Sequence, residues 1–224
     1  MQTKLLALTA LPIATLLSLG LATPPAAKIT IDHNTGGEAN RNFKFKNVPS
    51  PAKDDLGAKA KLMLVDGEID SNGSDLTALT DGILPTEEDE PEANFFFNAG
   101  TDGGRVRLDL GSVLELAQVN TYSWHPNTRG PQLYKLYASD GADPKFNGEP
   151  KRSVDPITCG WKFIATVSTL PAQGEEGGQY AVSITDPSGS LGKYRYLLFD
   201  CYATEASDDW GNTFYSEVDV VAKK

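Results

Sequence analysis

Two histidines and two cysteines in 224 residues leave little material for the common catalytic and metal-binding constellations. His33 and His125 stand far apart in the chain, and there is no GxSxG elbow, no HExxH and no glycine-rich phosphate loop. No CxxC or paired Cys/His spacing occurs, which excludes zinc-ribbon and thioredoxin-type motifs. Basic residues are also short, 20 against 30 acidic ones, for a net charge of −10. Such a surface repels phosphate backbones and anionic headgroups, so nucleic acid and membrane surfaces are poor candidates as partners. Carboxylates are the one catalytic resource in surplus, so a glycosidase-like acid pair stays open as an alternative on composition alone. The densest acidic run, Glu87-Glu88-Asp89-Glu90, reads as a solvated loop.

Long apolar runs are missing everywhere except at the N-terminus. There Lys4 precedes an almost wholly apolar stretch, Leu5 to Leu21, and Gly20 and Ala22 stand at −3 and −1 of a signal-peptidase site. Cleavage is expected before Thr23, making residues 1–22 a signal peptide and the protein secreted or periplasmic. Pro12 and the shortness of the stretch argue against a membrane anchor. In an oxidising compartment Cys159 and Cys201 can form a disulfide. Two buried thiols on neighbouring strands fit the sequence equally well.

What the chain does have is turn residues, 14 prolines and 21 glycines, set between short alternating segments. Gly104 to Leu110 alternates strictly, with Val106 and Leu108 on one face and Arg105, Arg107 and Asp109 on the other. Val113–Tyr122, Gln132–Ala138, Trp161–Val167, Gln179–Ile184, Tyr194–Tyr202 and Tyr215–Val221 read as further strands. Asn94–Phe97 reads as a short apolar one. No long amphipathic helix is present. The pattern predicts an all-β sandwich, a jelly roll, over residues 58–222. Residues 23–57 form a polar extension with two short strands, Lys28–Asp32 and Asn42–Lys46. Ala58 to Leu64 suits one helical turn or a strand start.

Several phrases follow one another in a telling order. Leu79-Thr80-Asp81-Gly82 precedes Val106-Arg107-Leu108-Asp109-Leu110-Gly111, then Tyr134-Lys135-Leu136-Tyr137-Ala138-Ser139-Asp140-Gly141. Gly160-Trp161-Lys162-Phe163, Lys193-Tyr194-Arg195-Tyr196-Leu197 and Phe214-Tyr215-Ser216-Glu217-Val218 complete the series. From about residue 60 to 222 this order resembles the discoidin, or coagulation factor 5/8 type C, domains and the family 32 carbohydrate-binding modules. The bracketing cysteines of the animal branch are absent. The resemblance implies a galactose-binding-like jelly roll that binds glycans or proteins through loops at one end and is not catalytic.

The same resemblance implies a structural calcium ion held by Asp81, Thr86 and Glu217, with carbonyls of Ala78, Ile83 and Ser216 beside them. That donor set supplies the hard oxygens calcium requires. For the glycan, two loops carry the right chemistry, an aromatic face and planar polar groups. One holds Trp124, His125, Asn127 and Arg129; the other holds Asp209, Trp210 and Asn212. Trp161, at a strand start, reads as core. The expectation is a secreted carbohydrate-binding module without catalytic activity, its partner a glycan or polysaccharide. A protein- or matrix-binding adhesion module using the same loops is the first alternative.

Overall fold

The structure is a computed structural model that describes residues 27–173, 177–205 and 212–224. The predicted signal peptide, Asp209 and Trp210 lie outside the described residues.

Among the described residues there are eight strands: β1 (Lys28–Thr35), β2 (Lys61–Asp66), β3 (Gly104–His125), β4 (Leu133–Ser139), β5 (Lys162–Ser168), β6 (Gly178–Thr185), β7 (Gly192–Cys201) and β8 (Tyr215–Ala222). The helical pieces among them are all short 3₁₀ turns. Gly104–Leu110 and Val113–Tyr122, expected as two strands, run together as the 22-residue β3. Gly111, at φ +81°, lets the chain turn there at no steric penalty. Asp109 accepts its N–H at 2.9 Å, and the register with β7 shifts between Asp109 and Leu114.

That bend is what makes a sandwich from one long strand. The first half of β3 pairs antiparallel with β2 and β7, and β4 and β5 continue this first sheet. The second half pairs with β6 and β8, and β1 adds to β6 as the edge of the second sheet. Alternate residues of both sheets meet in one apolar core that includes Leu108, Leu116, Val119, Leu136, Val167, Ile184, Leu197 and Val220. Tyr134 lies in that core with its hydroxyl on Thr121, so the buried polar group is satisfied. Trp161 is buried as expected, its Nε1–H donating to the Asn147 carbonyl at 2.8 Å.

The extension is part of the fold. β1 pairs with β6 over its whole length. Asn42–Lys46, read as a strand, is irregular instead. Its Phe45, with Val48, packs over Tyr122 and Ala181 on the outer face of the second sheet, and cross-sheet packing replaces strand pairing. Ala58–Leu64 is both of the things it suggested, a 3₁₀ turn over Gly57–Lys59 followed by β2. Asn94–Phe97 forms only isolated bridges, Ile69 with Phe97 and Phe95 with Tyr215, yet its three phenylalanines are all buried. Cys159 and Cys201 are both buried and free, with the Cys201 thiol pushed up to about 12 by burial.

Candidate functional site

One end of the sandwich gathers loops from four parts of the chain. β3 ends at His125, and the loop after it is tied to the segment before β8. Phe214 N–H donates to the Arg129 carbonyl at 2.9 Å, and Thr213 Oγ1 to the Pro131 carbonyl at 2.7 Å. Thr204 Oγ1 donates to the Thr128 carbonyl at 2.7 Å. Asn212 is buried and donates through Nδ2 to the carbonyls of Asn98 (2.9 Å) and Thr101 (3.1 Å). Asn212 thus holds the loops together.

The side chains at this end form a cation–aromatic stack. Phe96 and Phe214 lie parallel with centroids 4.1 Å apart. The Arg129 guanidinium sits 3.9 Å from the Phe214 centroid and 4.8 Å from that of Phe96. Its Nε–H donates to the Asn212 carbonyl at 3.3 Å. A planar cation over aromatic faces is favourable and fixes the fork's orientation. The His125 ring meets Phe214 edge-on at 4.6 Å, accepts the Asn127 N–H at Nδ1 (3.3 Å), and lies 3.9 Å from the Asp89 carboxylate. Burial, reinforced by the Arg129 charge, lowers its pKa to about 4, so the imidazole is neutral near pH 7. Asn127 and Asp89 are exposed.

His125, Asn127, Arg129 and Asn212 are therefore brought together at this end, but of the four only Asn127 is exposed, and Asn212, expected to face a sugar, spends its amide on the Asn98 and Thr101 carbonyls. Trp124 is buried within the sandwich. It belongs to β3, opposite Gln179, and is 4% exposed, so its ring offers no face to solvent. The sequence reading missed Phe96, Phe214 and Asp89. Phe96 was hidden in an apolar run that read as core, and Asp89 in an acidic run that read as solvated.

The predicted metal residues are placed differently from the expectation. Asp81 is exposed, and its carboxylate accepts the Ile83 N–H at 2.8 Å within its own turn. Thr86 is exposed and bonded to Glu90 through its N–H (2.6 Å) and Oγ1 (3.2 Å). Glu217, by contrast, is 0% exposed. Its Oε2 accepts the Gly82 N–H at 2.6 Å while Oε1 has no partner. Gly82 is at φ +69°, and a Cβ there would meet Lys53 at 2.5 Å, so glycine permits this approach.

The ligating atoms nearest Glu217 come from elsewhere. Oxygens of Asp55, Glu217 and Asp219 lie within 4.8 Å of one another. Asp55 Oδ2 is a second buried oxygen without a partner, while its Oδ1 accepts the N–H groups of Gly57 and Val220. Asp219 accepts from Ala52 N–H at 3.3 Å and lies 3.1 Å from the Tyr122 hydroxyl. Among the described residues no lysine, arginine or histidine pairs with any of the three. Burial, with Asp219, Asp81 and Asp55 adding negative charge, pushes Glu217 up to about 9. Burial and Asp55 raise Asp219 to about 6. Two orphaned carboxylate oxygens in a three-carboxylate cluster fit a hard cation. Asp55, in the polar extension, carried no sequence signal for this role.

No protein-family model matches the chain, and no curated protein matches it. Among solved structures, the chain is similar to the lectin domain of lectinolysin complexed with Lewis B antigen, at 10% identity and a TM-score of 0.47 over 76% of this chain and 98% of that one. It is similar to the family 32 carbohydrate-binding module of Clostridium perfringens NanJ, solved with galactose, at 9% identity and 0.45 over 74% and 95%. A chitosan-binding module from Paenibacillus sp. IK-5 matches at 15% identity and 0.45 over 74% and 96%.

Proposed function

We propose that this chain is an exported, non-catalytic glycan-binding domain whose site is the loop end around Arg129. The observation that carries the reading is the convergence of Arg129, Asn127, His125 and Asp89 where loops from distant parts of the chain are locked together. Planar donors and acceptors fixed by packing are what recognition of sugar hydroxyls needs, because each is oriented before the ligand arrives. With Nδ1 already accepting the Asn127 N–H, the neutral His125 ring has its Nε2–H left to donate. Trp210, two residues before Asn212 in sequence and outside the described residues, is the aromatic we propose to stack on a sugar ring. Export rests on the apolar stretch Leu5–Leu21 and its small-residue cleavage site.

The test is retention on immobilised polysaccharides. Asn127 is exposed, so Asn127→Ala should leave the melting temperature unchanged. Arg129→Met removes the fork while keeping an apolar side chain over Phe214. Each should lose about tenfold or more in affinity, the scale of a hydrogen bond to a charged or well-oriented group. Unchanged retention by both variants would overturn the loop-end site.

The second part of the proposal is a calcium ion held by Asp55, Glu217 and Asp219. An ion there supplies the positive charge that the cluster otherwise lacks. It would tie the extension to β8, a structural role away from the loop end.

A further inference from the structure

A cleft of about 500 Å³ opens on the outer face of the first sheet and shares no lining residue with the loop-end site. Its floor is one row of cross-strand neighbours. Arg105 on β3 faces Asp200 on β7, Asp200 faces Lys135 on β4, and Lys135 faces Thr166 on β5. These side chains project outward because Val106, Phe199, Leu136 and Ala165, one position along, belong to the core. One wall is the segment before β5, anchored by Arg105, which is 3% exposed and donates to the carbonyls of Pro150, Lys151 and Val154.

The charge of the floor runs against that of the whole molecule. The buried Asp200 is shared between Arg105 at 3.1 Å and Arg152 at 3.5 Å, and it also accepts from the Tyr202 hydroxyl at 3.0 Å. One carboxylate thus faces two guanidiniums. Lys135 forms no ion pair among the described residues; its ammonium lies 5.7 Å from the Tyr202 centroid, beside Arg152 at 4.8 Å. Asp155 also lines the cleft and Arg152 lies 3.7 Å from Asp102 as well, so the lining sets three cations against two carboxylates, a small positive excess on a chain of net charge −10. Above them the rim is apolar. Phe163 is 48% exposed and Ile157 58% exposed, and with Val154 they make up three of the seven large apolar side chains exposed among the described residues. Exposed apolar groups clustered at a polar cleft mark a binding surface more than a scattered set does.

We propose that this cleft is a second ligand site that takes an acidic saccharide, with the C–H face of the ring on Phe163 and Ile157 and its carboxylate or sulfate on Lys135 and Arg152. A sugar suits the lining better than an aromatic acid does, because Tyr137 and Thr166, whose hydroxyls can pair with those of a sugar, also line the cleft. The volume lies within the range of small-molecule sites. The inference is independent of the loop-end reading.

The full chain would be titrated with a galacturonic acid oligomer, a sulfated galactose oligomer and a neutral galactose oligomer, followed by calorimetry and backbone amide shifts. Saturable binding of at least one acidic oligomer is expected, with shifts at Lys135, Tyr137 and Thr166. Lys135→Met and Phe163→Ser should each weaken it about tenfold, the equivalent of one charge-assisted contact or one lost platform, at unchanged melting temperature. Asn127→Ala should leave it alone. No saturable binding of either acidic oligomer, equal binding of the neutral one at the cleft, parent affinity in both cleft variants, or shifts confined to Asn127 and Arg129 would each overturn the proposal.

Discussion

His125 shows how one side chain can be set by its surroundings for recognition and register that setting in the stability of the fold. Its pKa falls from 6.5 to about 4, first because it is buried and second because Arg129 is near. The unfolded chain takes up a proton as the pH drops through about 6.5, and the folded chain resists until about 4. Stability from this residue is therefore full above pH 6.5 and is lost progressively below it, by about 3 kcal/mol at most. The carboxylates titrate over the same range, so the quantity to measure is the difference between the parent and His125→Gln. That difference should shrink as pH falls from neutral to 4, in denaturant unfolding at each pH. A constant difference would mean that the imidazole titrates alike in the folded and the unfolded chain. At the same scale Trp124 becomes a packing residue: Trp124→Ala should lower stability by about 3–5 kcal/mol, as for other buried aromatics.

At the scale of elements, the strands were legible wherever one face is buried and the other is wet. Gly104–Leu110, Gln132–Ala138 and Tyr215–Val221 alternate in sequence, and β3, β4 and β8 lie there. Asn42–Lys46 alternates too, but its phenylalanines pack as a lid, and alternation alone cannot separate a strand from a lid whose apolar residues point one way. The continuity of β3 was illegible because Gly111 looks like a turn; the register shift beside it appears only once β7 is placed. The loop-end site was legible as residue types in two loops. Phe96 and Phe214 were not, because a platform shielded by an arginine has the composition of a core. The same limit applies to the extension, whose role rests on single bonds from dispersed residues. Asp32 on β1 accepts the N–H groups of Asn47 (2.6 Å) and Val48 (2.8 Å) and the Asn47 amide (2.7 Å), pinning the segment that covers Tyr122. Asp32→Ala should therefore release residues 43–57 together, costing about 1–3 kcal/mol for the donors left unsatisfied. Amide exchange should quicken at Asn47 and Val48 while β4 and β7 stay protected. Unaltered exchange at both amides would show that the lid holds without β1.

For the whole molecule, the lid and the charge have to be considered together. The chain carries net charge −10, and Asp55 is brought by the lid onto Glu217 and Asp219 under cover from water. Two effects of a divalent salt are then possible: general screening of an acidic surface, which any salt provides, and occupation of one place, which only a suitable cation provides. They separate when calcium chloride is compared with sodium chloride at equal ionic strength. A cation bound by the folded state alone stabilises it by about 2.7 kcal/mol at a hundredfold excess over its dissociation constant. The melting temperature should therefore rise further in calcium than in sodium. Asp219→Asn should abolish that excess while leaving the sodium response intact. Glu217→Gln should do the same and also raise the melting temperature in chelator, because an amide is neutral without the cost of taking up a proton, which Glu217, pushed up to about 9, bears at neutral pH. The paired outcome matters: a variant that merely damaged the fold would melt lower in every condition. Should calcium and sodium act equally on the parent, screening alone would account for the response, and the buried carboxylates would be holding protons in place of an ion.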